Sequence, residues 1–184
     1  MIQKSIRCGI DQIPNESLLP VHFHYGILTN QAAINLNGIP LLQILSTAHV
    51  QIVKIFSPEH GYNSMGTDGH YQEDHLSEVL SVPVISLYGD QLKPYPRHLI
   101  GLDVMIIDLP NIGSRFYTYL WTMTLMLEAC AESMIPVIIL DRPNPLGGIL
   151  EEAEGPIMKP SCFSFIGNWT IPIRFSLTLG ELAH

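Results

Sequence analysis

Residues 101–140, GLDVMIIDLPNIGSRFYTYLWTMTLMLEACAESMIPVIIL, decide the fold. Residues 104–109 (VMIIDL) are apolar almost without a break, the pattern of a strand buried on both faces. Across 118–133, Leu120, Met123, Leu127 and Ala131 recur at spacings of three and four. That stripe predicts a helix despite several strand-favouring residues, because periodicity is the stronger signal. Residues 136–140 (PVIIL) then read as a second strand. Strand, helix and strand in this order form a βαβ unit, whose two strands run parallel.

The same rhythm extends toward the N-terminus. Residues 25–29 (YGILT) read as a strand, and 39–48 carry Leu41, Leu42 and Leu45 at helical spacing. Residues 50–56 (VQIVKIF) are rich in β-branched side chains and stop at Ser57-Pro58, and 84–88 make a further strand. The expected fold is α/β: a Rossmann-like, doubly wound, mainly parallel sheet with helices on both faces. Residues 57–76 read as one long polar loop. Residues 142–176, with five prolines, read as irregular chain wrapping the sheet edge. Thr178-Leu179-Gly180-Glu181 fits the capping-box pattern, so a helix is expected to start near Leu179 and to continue beyond His184; a chance match is the alternative.

Composition narrows the function. The chain has 184 residues, 47% of them hydrophobic and 14% charged, which suits one domain with a substantial core. A mean hydropathy of +0.24 argues against disorder. The formal net charge of -8, with no basic run, excludes nucleic acid as an expected partner. No apolar stretch approaches the length of a membrane span, and residues 1–11 lack the apolar block of a signal peptide. A cytoplasmic location follows if Met1 is the native start, and a periplasmic or secreted one if the N-terminus is incomplete. Cys8, Cys130 and Cys162 are too widely spaced for a metal or disulfide framework.

In open parallel sheets, ligands bind beyond the carboxyl ends of the strands. Here those ends lead into Thr29-Asn30-Gln31, Ser57-Pro58-Glu59-His60-Gly61, Tyr88-Gly89-Asp90, the segment 108–117 and Asp141-Arg142-Pro143-Asn144-Pro145. Glu59 is the best acid/base candidate, held between a proline and a glycine at a defined turn. His60 is placed to orient a substrate or share a proton. Taken alone, a Glu-His pair is more often part of an ordinary loop. Arg115, before Phe116 and Tyr117, has the fork geometry to clamp a carboxylate. Asp141 and Arg142 read either as a local salt bridge or as sugar contacts. Glu154, in Glu154-Gly155-Pro156, supplies a second carboxylate, although an acidic solvated loop is its ordinary reading. Eight histidines include a group with Asp68, His70, Asp74 and His75, but no HExxH or comparable spacing supports a metal. Neither a GxSxG elbow nor a phosphate-binding glycine motif occurs, so no cofactor is expected.

Seven blocks in order resemble one family: GILTNQAAIN (26–35), IFSPEHGY (55–62), PVISLYG (83–89), GLDVMIIDLPNIGSRFYTYLWTM (101–123), VIILDRPNPLGG (137–148), EGP (154–156) and LTLGELA (177–183). Together they resemble the exo-β-N-acetylmuramidase family, glycoside hydrolases of peptidoglycan fragments. The resemblance implies that residues 1–184 form the N-terminal, cleft-bearing Rossmann-like domain, with the family's C-terminal domain absent and full members about twice as long. It implies release of N-acetylmuramic acid from the non-reducing end of muramyl sugars, with Glu59 as general acid/base. Asn30, His60, Arg115, Tyr117, Asp141, Arg142 and Asn144 would line the cleft, and Glu154 would be a weaker second carboxylate. The lactyl carboxylate of the sugar would fall to Arg115 first and Arg142 second. The face that the second domain would cover is expected to favour association. Asn111, His70 and the run Arg174-Phe175-Ser176-Leu177-Thr178 depart from the family pattern. A non-catalytic muramyl-sugar binding module, or the remnant of a decayed gene, is the alternative function.

Overall fold

The computed structural model describes residues 6–13, 19–66, 75–77 and 80–184, and of His75 the backbone alone. Among the described residues six strands form one sheet: β1 (His24–Thr29), β2 (Gln51–Ser57), β3 (His75–Leu76), β4 (Pro83–Ser86), β5 (Val104–Asp108) and β6 (Val137–Ile139). Their spatial order is β3-β4-β2-β1-β5-β6. Five of the strands are mutually parallel, and β3 pairs antiparallel with β4 at one edge. The chain winds outward from β1 through β2 to β4, then returns to lay β5 on the other side of β1. This is the doubly wound α/β order, with its switch point between β1 and β5.

Alternation along the strands divides the apolar side chains between two cores. On one face Leu28, Phe56, Met105 and Ile107 pack against helix α3 (Tyr119–Glu132) and the short helix α2 (Pro96–Leu99). On the other, Tyr25, Ile27, Ile55 and Ile106 meet Leu41, Leu42 and Leu45 of helix α1 (Leu41–Thr47), together with Ile10. Strand β2 carries a bulge against β1: Tyr25 pairs with Ile52 while Gly26 pairs with Lys54, so Val53 is the extra residue. The sequence pattern is recovered nearly to the residue for β1, α1, β2, β5 and α3.

Three features differ from the sequence reading. The polar loop after β2 contains β3, a two-residue strand that carries no periodic signal. Helix α2 is a single turn begun by Pro96, and Lys54 closes it by donating to the carbonyls of His98 and Ile100, each at 2.8 Å. The irregular segment after β6 covers the start of α3 instead of wrapping the sheet edge. Arg174 bridges Ser114 on one side and Glu154 on the other, while Trp169 stands edge-on to Trp121 with ring centroids 5.5 Å apart. Helix α4 (Leu179–Leu182) opens with the expected capping box: Thr178 Oγ1 accepts from the Glu181 N–H at 3.1 Å, and Glu181 Oε2 accepts from the Thr178 N–H at 2.8 Å.

Candidate active site

Strand β2 ends in a turn closed by the Gly61 N–H donating to the Pro58 carbonyl at 3.0 Å. Inside it His60 has φ +69° and Gly61 φ +74°. A left-handed backbone costs a histidine what it does not cost a glycine, and such costs cluster where geometry is held for function. His60 Nδ1 lies 3.1 Å from the Gly66 carbonyl, which can only accept. Nδ1 therefore carries a proton and donates to it.

Glu59, half-buried on this turn, has Oε2 2.8 Å from Thr118 Oγ1, and the hydroxyl donates. Thr118 begins α3, so one hydrogen bond joins the end of β2 to the start of the helix that follows β5. Two tyrosines flank it in sequence. Tyr117 and Tyr119 have ring centroids 4.5 Å apart. Burial, the neighbouring Tyr119 and the negative charge of Glu59 push the Tyr117 phenol above its ordinary range. Tyr117 thus stays a neutral donor at any physiological pH. Tyr119 accepts from Asn30 Nδ2 at 2.8 Å, and Asn30 Oδ1 in turn accepts the Ala32 N–H at 3.1 Å. Asn30, Glu59, Tyr117, Thr118 and Tyr119 form one polar cluster over the carboxyl ends of β1 and β2.

The switch point between β1 and β5 is filled differently. Asp108, 1% exposed, closes β5 and accepts two bonds from Arg142, from Nε at 2.6 Å and from Nη2 at 2.8 Å. Burial pushes the Asp108 carboxyl up, and the guanidinium pulls it back. Arg142 Nη1 also donates to the Ile34 carbonyl at 3.1 Å, which ties the loop after β1 to β5. Arg142 therefore pairs across the crevice instead of with its neighbour. Asp141 is committed to α4: it accepts from Thr178 Oγ1 at 2.6 Å, from the Gly180 N–H at 2.9 Å and from the Arg142 N–H at 2.9 Å.

Two more of the expected lining residues hold chain segments together. Arg115, 8% exposed, donates from Nη1 to the carbonyls of Pro156 and Ile171. It clamps the base of the excursion between them. Asn144 Nδ2 donates to the carbonyls of Phe175 and Leu177 at 2.7 and 3.0 Å. Its Oδ1 accepts from the Leu146 N–H at 2.9 Å. Glu154 is exposed, its backbone paired with Arg174. Asn111 uses Oδ1 to accept the Gly113 N–H at 2.6 Å, and its buried Nδ2 has no partner among the described residues.

Sequence reasoning did not single out Thr118, Tyr119 or Asp108. A threonine opening a periodic apolar run, and a carboxylate ending a fully apolar strand, were the signals for two of them. Tyr119 looked like one more apolar helix residue. Asp68, His70 and Asp74 lie outside the described residues, as does the side chain of His75. Among the described residues no cluster of three or more histidine, cysteine or acidic side chains could hold a metal ion. Among them, too, no helix is long and apolar enough to cross a membrane.

Comparison with known proteins places this geometry in a family. The family described as "Exo-beta-N-acetylmuramidase NamZ, N-terminal" matches residues 25–184. A curated relative, the peptidoglycan beta-N-acetylmuramidase NamZ of Bacillus subtilis (strain 168), is 40% identical over 159 residues, 86% of this chain and 38% of the relative. The crystal structures of two DUF1343 family proteins from Bacteroides fragilis NCTC 9343 superpose with TM-scores of 0.83 and 0.78. Their sequence identities are 34% and 32%. These alignments cover 96% and 97% of this chain but 44% and 46% of the two proteins. This chain therefore spans less than half the length of these relatives, and it belongs to the exo-beta-N-acetylmuramidase NamZ family, in the region of that family's N-terminal domain.

Proposed function

We propose that this chain is the cleft-bearing domain of an exo-acting β-N-acetylmuramidase that releases N-acetylmuramic acid from the non-reducing end of peptidoglycan fragments. The observation that carries the reading is Glu59: a half-buried carboxyl at the carboxyl edge of a parallel sheet, gripped through one oxygen by Thr118. Ligands of doubly wound sheets bind on that edge. Glu59 gives a proton to the departing glycosidic oxygen as the anomeric carbon takes on oxocarbenium character. A second carboxylate, for which Glu154 is the candidate, or the 2-acetamido oxygen of the sugar supports that carbon until water adds. Tyr117, kept neutral by its surroundings, donates to a sugar oxygen, and Asn30 and Tyr119 hold it in place. His60 orients the same sugar from the turn. Arg115, Arg142, Asp141 and Asn144 shape the walls of the cleft by holding its loops.

The test is release of free N-acetylmuramic acid from a MurNAc–GlcNAc disaccharide by this chain and by Glu59→Gln. Release by the parent and at least about a hundredfold less by the variant is the expected outcome, given what a general acid contributes. Equal release by both would remove Glu59 from the chemistry. The second reading is a non-catalytic muramyl-sugar binding module. Saturable binding of the disaccharide by calorimetry, with no turnover by folded parent, would establish that reading instead.

A further inference from the structure

Among the described residues two threonines stand at N-cap positions, and each donates its hydroxyl proton to a carboxylate, Thr178 to Asp141 Oδ2 at 2.6 Å and Thr118 to Glu59 Oε2. Thr178, with φ -78° and ψ 168°, caps α4 by accepting from the Glu181 N–H. Thr118, with φ -66° and ψ -20°, makes no side-chain cap on α3. Its carbonyl starts the helix alone, accepting the N–H groups of Trp121 and Thr122, each at 3.0 Å. An N-cap threonine ordinarily satisfies one of the orphan N–H groups of the first turn. The Thr118 hydroxyl makes no such bond and serves Glu59 Oε2 alone, at 2.8 Å. Among the described residues, this is the one hydrogen bond made by either side chain.

We propose that Thr118 is the positioning residue of Glu59, deciding which of its two oxygens handles the proton; the inference rests on the reading of Glu59 as the acid/base group. A glutamate has three side-chain torsions, and the turn that carries Glu59 fixes its backbone alone. One donor on Oε2 fixes the plane of the carboxyl and reserves Oε1 for proton transfer. The gain is concentrated in the transition state. As Oε1 gives its proton to the departing oxygen, negative charge arrives on the carboxylate, and a neutral hydrogen bond becomes a charge-assisted one. Placing the donor at the start of α3 ties this alignment to a 14-residue helix packed on the sheet.

The test compares Thr118→Val, which keeps the shape and removes the hydroxyl, with Thr118→Ser, which restores it. In the full chain labelled with ¹³C-glutamate, the Glu59 carboxyl resonance is assigned by its loss in Glu59→Gln. It is expected to move in Thr118→Val and to return in Thr118→Ser; a resonance that does not move in Thr118→Val overturns the proposal. Unchanged amide resonances along α3 report that the variant is folded, and Thr118→Ala replaces Thr118→Val if the valine is not. On the MurNAc–GlcNAc disaccharide, kcat is expected to fall about tenfold or more in Thr118→Val, as loss of a bond to a charged group predicts, with KM within about twofold. An unchanged kcat also overturns it. A parent with no turnover sinks the hydrolase reading, while the carboxyl resonance still decides what Thr118 does.

Discussion

Asp108 ends a strand in which every residue is buried, and a carboxylate there is expensive unless it is paired. Arg142 reaches it from the loop after β6, with 18% of its own side chain exposed. A pair of this kind adds little net stability, because desolvating both ions offsets most of their attraction, yet removing one partner strands the other. Arg142→Met is therefore expected to cost about 3 kcal/mol in urea unfolding. Adding Asp108→Leu should return most of that loss, as a double-mutant cycle would show. If the single variant unfolds at the parent's midpoint, the pair is not holding the crevice. The value of the contact lies in specificity of arrangement: it joins the ends of β1, β5 and β6 where the sheet changes direction.

At the scale of the element, α3 shows how far burial reaches into chemistry. Cys130 is fully buried on its inner face, and burial pushes the thiol up to about 11 from an ordinary value of 9.0. The unfolded chain therefore loses this proton first, so stability is intact below pH 9 and drains away between pH 9 and 11. The slope from this group is about 1.4 kcal/mol per pH unit. Unfolding midpoints measured across that window should fall, and Cys130→Ala should flatten the early part of the curve. The phenols of buried Tyr25 and half-buried Tyr62 and Tyr117, each raised above 10.0, continue the fall at higher pH. A parent curve flat from pH 9 to 11 would show that Cys130 is hydrated in solution. The α4 terminus illustrates a different economy. Asp141 takes the Gly180 N–H, and a Cβ at residue 180 would stand 2.7 Å from its carboxyl carbon, so the approach that makes the cap requires glycine.

Across the whole molecule, the chain after β6 is attached less by secondary structure than by a few side chains. Arg115 is the central one, since its bonds to the Pro156 and Ile171 carbonyls close both ends of an excursion that exposes Ile157, Phe163, Phe165 and Ile166. Phe165 reaches Tyr88 just beyond β4, with ring centroids 6.5 Å apart. Arg115→Met should leave the sheet intact and free that excursion. Limited proteolysis is expected to cut between 156 and 171 several-fold faster, with amide exchange in β1 and β5 unchanged. Uniform loss of protection throughout the sheet would mean that Arg115 supports the core itself.

Five of the six strands, helices α1 and α3 and the α4 capping box could be read from the residues alone, and Glu59 could be named as the candidate carboxylate. These depend on local periodicity, turn chemistry and charge at strand ends, all written within a few neighbouring residues. The sequence could not assign β3, because two residues carry no period, or α2, because one proline-started turn has no stripe. Which arginine meets which acceptor was equally out of reach. Arg142 and Asp108 are 34 positions apart, and Arg115 and Ile171 are 56 apart. Such pairings depend on strand order, which the switch between β1 and β5 sets. The same holds for Thr118 and Glu59, separated by 59 positions. A threonine before a helix reads as a cap from its neighbours alone. Only the packing of α3 beside the end of β2 turned its hydroxyl toward the carboxylate.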